Sequence, residues 1–350
     1  MSSLSQELIE DVIDLLSDDR DALISCSYAS RIFYHRTRMH LFSSVTFSQC
    51  GSYRDLYRAR LLAEMPLVAI QIKQAQIDHC TTISTLFSSE PSSLSSLVSL
   101  DLNFVRFSEP NNLHIAVLSL PLLKELNINQ CYFEQFESSI PTLPPSGPKL
   151  EKLFILYAKG SHVLLDPLMS LRNVYMDSLV QLSLQNPSSK TDLNQLIEYS
   201  HCTSKKLETL SLAWIDQAVY TNPPTRHLRL ARLEELNIGI THEFRLNMNL
   251  RIMQWLVQSL LQPESRGLRR LTLRIFVKMY NTGFSSNGEM WMPWLEVDRM
   301  LPKARIDIVW VCKGSRDGDL DHASREMVAL ARRQFPEAHN RGMLEVTVCT

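Results

Sequence analysis

A short leucine motif recurs along most of this chain. The pattern Leu-x-x-Leu-x-(Leu or Ile) occurs seven times in 350 residues, at successive steps of 26, 27, 29, 28, 26 and 35 residues. The copies begin at Leu97, Leu123, Leu150, Leu179, Leu207, Leu233 and Leu268. A chain of ordinary composition would contain about one such match by chance, because leucine is required at both the first and the fourth positions. The spacing therefore indicates a structural repeat.

Weaker copies extend the repeat in both directions. Two precede the leucine copies and two truncated ones follow them: Phe42-x-x-Val45-x-Phe47, Leu67-x-x-Ile70-x-Ile72, Ile306-x-Ile308 and Leu344-x-Val346. Each copy alternates apolar and variable residues, which predicts a short strand with its leucines on one face. A strand cannot bury that face alone, and 26 to 29 residues allow the chain to return through a helix to the next parallel strand.

This pattern resembles the leucine-rich repeat family. The stricter consensus of that family has Asn or Cys at the ninth position of each repeat, and here only Cys50 and Cys131 occupy it. The resemblance implies an α/β fold, with residues 42–350 forming an irregular solenoid whose parallel strands line the concave face and whose helices lie behind. Two of the later connections are predicted to be helical, at Asn249–Leu261 and at about Asp321–Phe335.

Charge and cysteine usage limit the partners and the compartment. The chain has 36 basic and 37 acidic residues, a net charge of −1, which argues against binding to nucleic acid or to an anionic membrane through bulk attraction. Its seven cysteines lack the close pairing of metal or redox motifs, so we expect reduced thiols. No basic-then-apolar leader and no 18-residue apolar run occurs, which predicts a cytoplasmic or nuclear protein.

The first 41 residues have a different pattern from the repeats. A broad apolar stripe predicts a helix from about Ser5 to Leu16, with its acidic residues on the other side. Ser17-Asp18-Asp19 should end that helix and cap a second one. In the second helix, steps of four, three and four place four residues on one face: Ala22, Cys26, Ala29 and Phe33. A third short helix is predicted over Tyr34–Met39.

This segment is similar to an F-box, and its continuation through His40–Phe47 is similar to the end of that module in F-box proteins of mushroom-forming fungi. F-boxes bind the Skp-type adaptor of cullin-based SCF ubiquitin ligases. The resemblance therefore implies an adaptor-binding module over residues 1–41. Carried over by position, the adaptor-binding candidates are Leu4, Ser5, Leu8, Ile9, Ile13, Leu16, Leu23, Cys26 and Phe33. Some of them should face the adaptor, and others should pack the three helices together.

The sequence departs from the F-box pattern at three positions. Ser5 replaces the usual Pro at the helix start, Ser30 replaces a common Cys, and Phe33 replaces a more frequent Trp. Pro is also a contact residue in the family, so adaptor binding through Ser5 should be weaker. The alternative to an F-box is a set of helices that only caps the first repeat of a stand-alone scaffold, since solenoids require capped ends.

The resemblance implies a substrate-recognition subunit that bridges the adaptor, and through it a cullin scaffold, to an unknown target protein. Target contacts are expected on the concave face, where strand positions between the buried leucines point. The candidates there are Asp101, Asn103, Asn127, Asn129, Phe154, Leu156, Arg270 and Arg274. Phe154 and Leu156 are large and apolar. They either bind a partner or lie under the proline-rich insertion Pro141–Pro148.

Motifs for catalysis, cofactors or metals are weak. Asp317-Gly-Asp319-Leu-Asp321 has the carboxylate spacing of a calcium loop, but His322 stands where the loop needs Gly, so the segment reads as the start of a helix. The adjacent pairs His79-Cys80 and His201-Cys202 have no matching second pair for zinc. Phosphate-loop and nucleophile-elbow motifs are missing from the sequence. We therefore expect a binding protein without a cofactor rather than an enzyme.

Overall fold

A computed structural model describes residues 5–48, 69–79, 94–107, 110–133, 148–156, 178–185, 194, 197, 206–213, 224, 226–242, 249–278, 294–313 and 317–349. The chain divides into two compact units, Met1–Lys149 and Leu150–Thr350. The first unit contains both the predicted helical module and the first described strands. The strands described in the second unit belong to repeats, and the predicted boundary after residue 41 lies inside the first unit.

Three helices open the first unit: α1 (Gln6–Leu15), α2 (Arg20–Ala29) and α3 (Arg31–Leu41). Each begins at a polar side chain that accepts a hydrogen bond from a backbone N–H of the first turn. Ser5 accepts from Leu8, Asp19 from Ala22, and Ser30 from Ile32. These caps satisfy donors that a helix start leaves without partners, which explains where the three helices begin.

The predicted division between the second and third helices is wrong. Phe33 was expected on the face of the second helix, but that helix ends at Ala29 and Phe33 lies in α3. Ser30 separates them, because its backbone is extended, with φ −158° and ψ 146°, and its side chain caps α3. Ser30 therefore stops one helix and starts the next, a junction that apolar spacing alone does not reveal.

Parallel strands follow the helices in the first unit. They are β1 (Ser44–Ser48), β2 (Gln74–Asp78), β3 (Ser99–Asn103), β4 (Arg106–Phe107), β5 (Glu125–Asn129) and β6 (Tyr132–Phe133), with helix α4 (Pro110–Leu118) before β5. Strands β1, β2, β3 and β5 lie side by side in that order, and β4 pairs with β6. Leu100 and Leu126 are register partners on β3 and β5, and both are fully buried.

The weak copy predicted at Leu67–Ile72 is out of register. Ile70 is 57% exposed, and the strand forms later, at Gln74–Asp78. Its buried residues are Ala75 and Ile77, with Ile72 two residues before the strand at the place that Leu97 holds before β3. The true copy is therefore Ile72-x-x-Ala75-x-Ile77. Its central position is an alanine, so this copy lacks the large apolar residue that defines the motif.

In the part of the second unit that the structure describes, seven parallel strands lie in chain order. They are β7 (Lys152–Leu156), β8 (Gln181–Gln185), β9 (Thr209–Ala213), β10 (Glu235–His242), β11 (Arg270–Lys278), β12 (Arg305–Lys313) and β13 (Leu344–Cys349). The described helices are α5 (Asn249–Leu260), α6 (Trp294–Met300), α7 (Asp317–Gln334) and α8 (Pro336–Asn340), with a 3-10 turn at Pro263–Gly267. The helix predicted at residues 249–261 is confirmed, and the last long helix begins four residues earlier than expected.

The repeat prediction holds for all seven leucine copies. Every strand begins two residues after the first leucine of its copy, as β9 does after Leu207. The repeat residues at the first, fourth and sixth positions are buried in each copy, for example Leu207, Leu210 and Leu212. The truncated copies at Ile306 and Leu344 also form strands. Stacked apolar side chains thus form the core of each unit, as the alternating pattern predicts.

A buried carboxylate joins α6 to α8 in the second unit. Asp298 is fully buried, and its two oxygens accept hydrogen bonds from the backbone N–H groups of Glu337 and Ala338 at 2.7 and 3.0 Å. Arg341 lies 3.8 Å from the same carboxylate. Asp298 therefore caps a five-residue helix that is almost 40 residues away in sequence.

We expect Asp298→Ala to lower the free energy of unfolding of the second unit by about 2–4 kcal/mol, because each buried N–H left without an acceptor costs about 1–3 kcal/mol. Asp298→Asn keeps the shape but only one acceptor oxygen, so its loss should be intermediate. Urea unfolding followed by tryptophan fluorescence measures both variants. Equal stability of Asp298→Ala and the unaltered protein would contradict a capping role.

Candidate interaction surfaces

The N-terminal helices form a module with an interior of its own. Ile13 of α1, Leu23 of α2 and Thr37 of α3 are each at most 2% exposed. The Thr37 hydroxyl donates to the backbone oxygen of Phe33 at 2.8 Å, which satisfies the one polar group among them. Ile13 and Leu23 were among the predicted adaptor-binding residues. The structure places both inside the module, where they hold the helices together.

A charged cluster ties α1 to α3. The Asp14 carboxylate accepts two hydrogen bonds from the Arg36 guanidinium, one of them from Nε at 2.6 Å, and one from Nε2 of His40 at 2.7 Å. The Arg36 and His40 hydrogen bonds hold the pKa of Asp14 well below its usual range. The arrangement is bidentate and joins residues more than 20 positions apart, so it acts as a clamp between two helices.

We expect Asp14→Asn to increase local opening of α1 and α3, measured as lower amide-exchange protection factors in both helices. Because the folded pKa of Asp14 lies below its unfolded value, the clamp contributes stability above pH about 4 and loses it as the pH falls below that value. The difference in protection between the two proteins should therefore shrink on acidification below pH about 4. A difference that persists unchanged in acid would contradict the clamp.

An apolar stripe on α1 is exposed. Leu8, Val12 and Leu15 are 53, 58 and 85% exposed, and their spacing of four and three residues places them on one face of the helix. The interior of the module is already filled by other residues, so the stripe has no role in folding the three helices. Large apolar side chains at this spacing on a helix surface are typical of a helix face that binds another protein.

The other adaptor-binding candidates divide into three groups. Leu4 lies outside the described residues. Ser5 caps α1, with a hydrogen bond of 3.4 Å from the Leu8 N–H. Four residues are partly buried, so each lies at the edge of the module interior and is also partly in contact with solvent: Ile9, Leu16, Cys26 and Phe33. Of the eight predicted residues that the structure describes, Leu8 is the one apolar residue that is exposed.

The sequence prediction omitted further exposed apolar residues of the module. Val12 and Leu15 were part of the predicted α1 stripe but were not chosen as adaptor contacts. Tyr28 at the end of α2 is 87% exposed, and Ile32 at the start of α3 is 54% exposed. A helical stripe as broad as that of α1 cannot be buried against two short helices, and that excess is the signal that could have identified Val12 and Leu15.

The open face of the first unit carries a chain of amide and carboxylate side chains. Asn129 Nδ2 donates to Asn103 Oδ1 at 3.2 Å, and Asn103 Nδ2 donates to Asp78 Oδ1 at 2.9 Å. Gln76 Nε2 also donates to Asp78, at 2.9 Å. The predicted partner-binding residues Asn103 and Asn129 therefore bond to one another across the strands. Asp78 was missed because the preceding copy was predicted in the wrong register.

Asp101 and Asn127 lie on the same face, two residues before Asn103 and Asn129 on the same strands. Burial raises the pKa of Asp101, the nearby carboxylates of Glu125 and Asp78 act in the same direction, and a hydrogen bond with Asn127 opposes them. Three carboxylates thus converge on this face of the first unit. They remain partly accessible, so the face presents negative charge and amide groups to solvent.

The open face of the second unit has a different character. At its first strand, Phe154 and Leu156 of β7 are partly exposed, so neither is fully covered. The predicted covering insertion lies outside the described residues apart from Pro148. On the later strands β11 and β12, Arg270 and Arg305 both donate through Nε to Asp307, at 2.6 and 2.9 Å. Arg305 also bonds to Glu345 of β13.

Arg274 has no such partner within the described residues. It follows Arg270 on β11 by four positions, so both point to the open face, and it is exposed. Its register neighbours on β10 and β12 are Gly239 and Val309, which offer no carboxylate. The two arginines predicted as partner contacts therefore differ. Arg270 is held in an ion pair, whereas Arg274 presents an uncompensated guanidinium.

The described residues give no support for a metal site or a membrane span. Within them, no group of three or more His, Cys, Asp or Glu side chains has the proximity needed to hold a metal ion. The acidic run at Asp317–Asp321 lies in the first turns of α7 rather than in a loop. Among the helices described here, none combines the length and the apolar character needed to cross a bilayer.

Comparisons with known proteins leave the family open. No protein-family model and no curated protein matches the chain. Among solved structures, the chain is similar to one described as the crystal structure of the Rad7 and Elc1 complex in yeast, with 13% identity. That match covers 90% of this chain and 91% of the other, with a TM-score of 0.34. A likeness at this level is too distant to assign a family or a function.

Proposed function

We propose that this protein is a non-catalytic substrate-recognition subunit of an SCF-type ubiquitin ligase. In this proposal the N-terminal module is an F-box that binds a Skp-type adaptor, and the adaptor connects it to a cullin scaffold. The repeat strands bind the target protein through their open face. The bridging role requires two separate surfaces, one on the helices and one on the strands, and it requires no chemistry from the chain itself.

The exposed α1 stripe is the observation that carries the proposal. Leu15 is 85% exposed in a module whose interior is filled by Ile13 and Leu23. Burying a large aliphatic side chain contributes about 1.5–3 kcal/mol, so leaving several in water is costly unless a partner covers them. The stripe belongs to the helix whose sequence is similar to the adaptor-binding helix of F-boxes, and this resemblance supports a Skp-type adaptor as the partner.

The rival function is a stand-alone scaffold whose N-terminal helices only cap the solenoid. A capping element needs a polar outer face, because that face stays in water. The outer side chains Leu8, Val12, Leu15 and Tyr28 are apolar or aromatic and more than half exposed. That composition favours adaptor binding over capping.

Co-expression of the full chain with a recombinant Skp-type adaptor tests the proposal. We expect the two to co-purify through affinity and size-exclusion steps as a complex of one copy each. Adaptor that elutes entirely as the free protein, with the full chain folded by circular dichroism, would exclude the F-box role and leave the scaffold function.

A further inference from the structure

One row of side chains crosses the open face of the second unit. The row is defined by the strand registers, in which each residue lies beside the next on the neighbouring strand. From β7 to β13 the row consists of Leu156, Gln185, Ala213, Gly239, Arg274, Val309 and Thr347. Ala213 takes its place beside Gly239 because Leu212 pairs with Ile238 one position earlier.

Arg274 is the only charged residue of this row. The carboxylates of β10 to β13 lie in other rows than Arg274. Two of them are ion-paired with other arginines: Asp307 binds Arg270 and Arg305, and Glu345 binds Arg305. Asp307 is only 9% exposed, so its charge is turned away from solvent and toward those two arginines. A positive group without a neighbouring carboxylate on an open sheet face is complementary to an anionic group of a partner.

The other end of the row is apolar. Leu156 and its strand neighbour Phe154 present two large side chains that the described structure leaves partly exposed. Between them and Arg274 the intervening strands carry several small residues on this face, Ser183, Ser211, Ala213 and Gly239, beside the longer polar side chains of Gln185 and Asn237. Gly239 has no side chain, which allows a segment that crosses β10 to approach the sheet backbone closely.

We propose that this face binds an extended segment of the target protein that carries one large apolar residue and one carboxylate. The apolar residue contacts Phe154 and Leu156, and the carboxylate pairs with Arg274. This inference rests on the proposed function, because it specifies the chemistry of the target that the open face recognises. The face would thus recognise a short linear segment of the target through two contact residues, rather than a broad acidic surface.

The strand geometry sets the separation of the two anchors. From β7 to β11 there are four strand steps, and neighbouring strands lie about 4.8 Å apart, so the anchors are separated by about 19 Å. An extended chain advances about 3.3 Å per residue. The apolar residue and the carboxylate should therefore lie about six positions apart in the target. A segment with about two or about ten intervening positions cannot reach both anchors while extended.

A carboxylate fits this site better than a phosphate. Arg274 alone supplies the positive charge of its row, and its planar guanidinium can pair with both oxygens of one carboxylate. A phosphate carries a charge of about −1.5 to −2, which a single guanidinium of unit positive charge does not neutralise. The site therefore favours an unmodified acidic residue in the target.

A spacing series of peptides tests the proposal with the full chain. The probes are fluorescein-labelled Ser/Gly peptides with one phenylalanine and one aspartate, separated by about two to about ten positions in both chain orders. Fluorescence anisotropy gives the dissociation constants. We expect the tightest binding at a separation of about six positions in one of the two orders. Affinity that does not depend on the separation would overturn the proposal.

Three substitutions identify the residues responsible. Arg274→Glu should weaken the best aspartate peptide about tenfold and favour its lysine counterpart, and Leu156→Ser should weaken peptides only when they contain phenylalanine. The matched control is Arg333→Glu, because Arg333 is an exposed arginine on α7, and it should change nothing. An equal loss in the control indicates bulk charge attraction and overturns the proposal. Binding of a phosphoserine peptide alone overturns the carboxylate assignment.

These measurements do not involve the adaptor, so the two proposals can fail separately. If the adaptor co-purifies but peptide affinity shows no dependence on spacing or on Arg274, the target-segment proposal is wrong and the ligase role stands. If the peptide results hold but the adaptor does not bind, the protein is a peptide-binding scaffold. Thermal melting of each variant, followed by circular dichroism, confirms that the folded protein is the species measured.

Discussion

Replacing Leu210 with aspartate should unfold β9 together with the strands beside it. Leu210 is 1% exposed and lies between its register partners Leu182 and Leu236, which are equally buried. The substitution removes leucine packing worth about 2–5 kcal/mol and places a carboxylate without a partner among apolar side chains, at a cost of several kcal/mol more. That total is comparable to the entire stability of a typical domain.

Thermal melting followed by circular dichroism measures the effect, and Trp255, which is buried in the second unit, reports it by fluorescence. The matched control is Thr209→Asp, since Thr209 precedes Leu210 on the same strand but faces the open side, partly exposed. It should melt within a few degrees of the unaltered protein. In the first unit, Leu126→Asp should act like Leu210→Asp, because Leu126 is fully buried on β5. Near-normal melting of both aspartate variants would contradict the repeat core.

Replacing the exposed α1 stripe with glutamates should abolish adaptor binding. The triple variant Leu8→Glu, Val12→Glu, Leu15→Glu removes apolar burial from the proposed interface worth about 4.5–9 kcal/mol and adds charges that the adaptor would have to desolvate. All three side chains are more than half exposed, so the module itself should stay folded. Ile9 is left unchanged because it is partly buried, and a charge there would confuse unfolding with lost binding.

The measurement is the affinity for a recombinant Skp-type adaptor, by pull-down and by calorimetry. The chain offers a matched control in Ile115→Glu with Leu122→Glu, because both residues are 54% exposed in the first unit but lie outside the module. The control should bind the adaptor like the unaltered protein. If the triple variant also binds normally while amide exchange shows α1 intact, the stripe is not the adaptor surface and the F-box assignment fails.

The leucine motif predicted most of the repeat strands, because a period-2 pattern needs only local sequence to specify which face is buried. Leu97, Leu123 and the later copies each precede a strand, as expected. The motif does not predict the strand whose repeat contains a small residue in place of leucine. Ala75 occupies the buried fourth position of its repeat in β2, where the seven leucine copies have leucine. Only the packed structure reveals that a residue this small is buried there.

Helix boundaries in the N-terminal module were predicted where a polar cap follows a clear break, as at Asp19. They were missed at Ser30, where the break consists of one extended residue within a continuous apolar pattern. Spacing on a helix says which residues share a face, but whether that face is buried depends on the helices packed against it. For that reason, the sequence places Ile13 and Leu15 in one apolar stripe, and only the structure shows that Ile13 is buried while Leu15 is exposed.

The sequence by itself determined the repeat, the inward-facing leucines and the presence of a distinct helical segment before them, because all three follow from short-range periodicity and composition. Tertiary structure alone decided which apolar residues of α1 remain in water and which arginine of β11 is paired with a carboxylate among the described residues. It also placed Asp298 at the start of α8. Each of these depends on contacts between residues distant in the chain, and the identity of those contacts is set by how strands and helices pack rather than by local spacing.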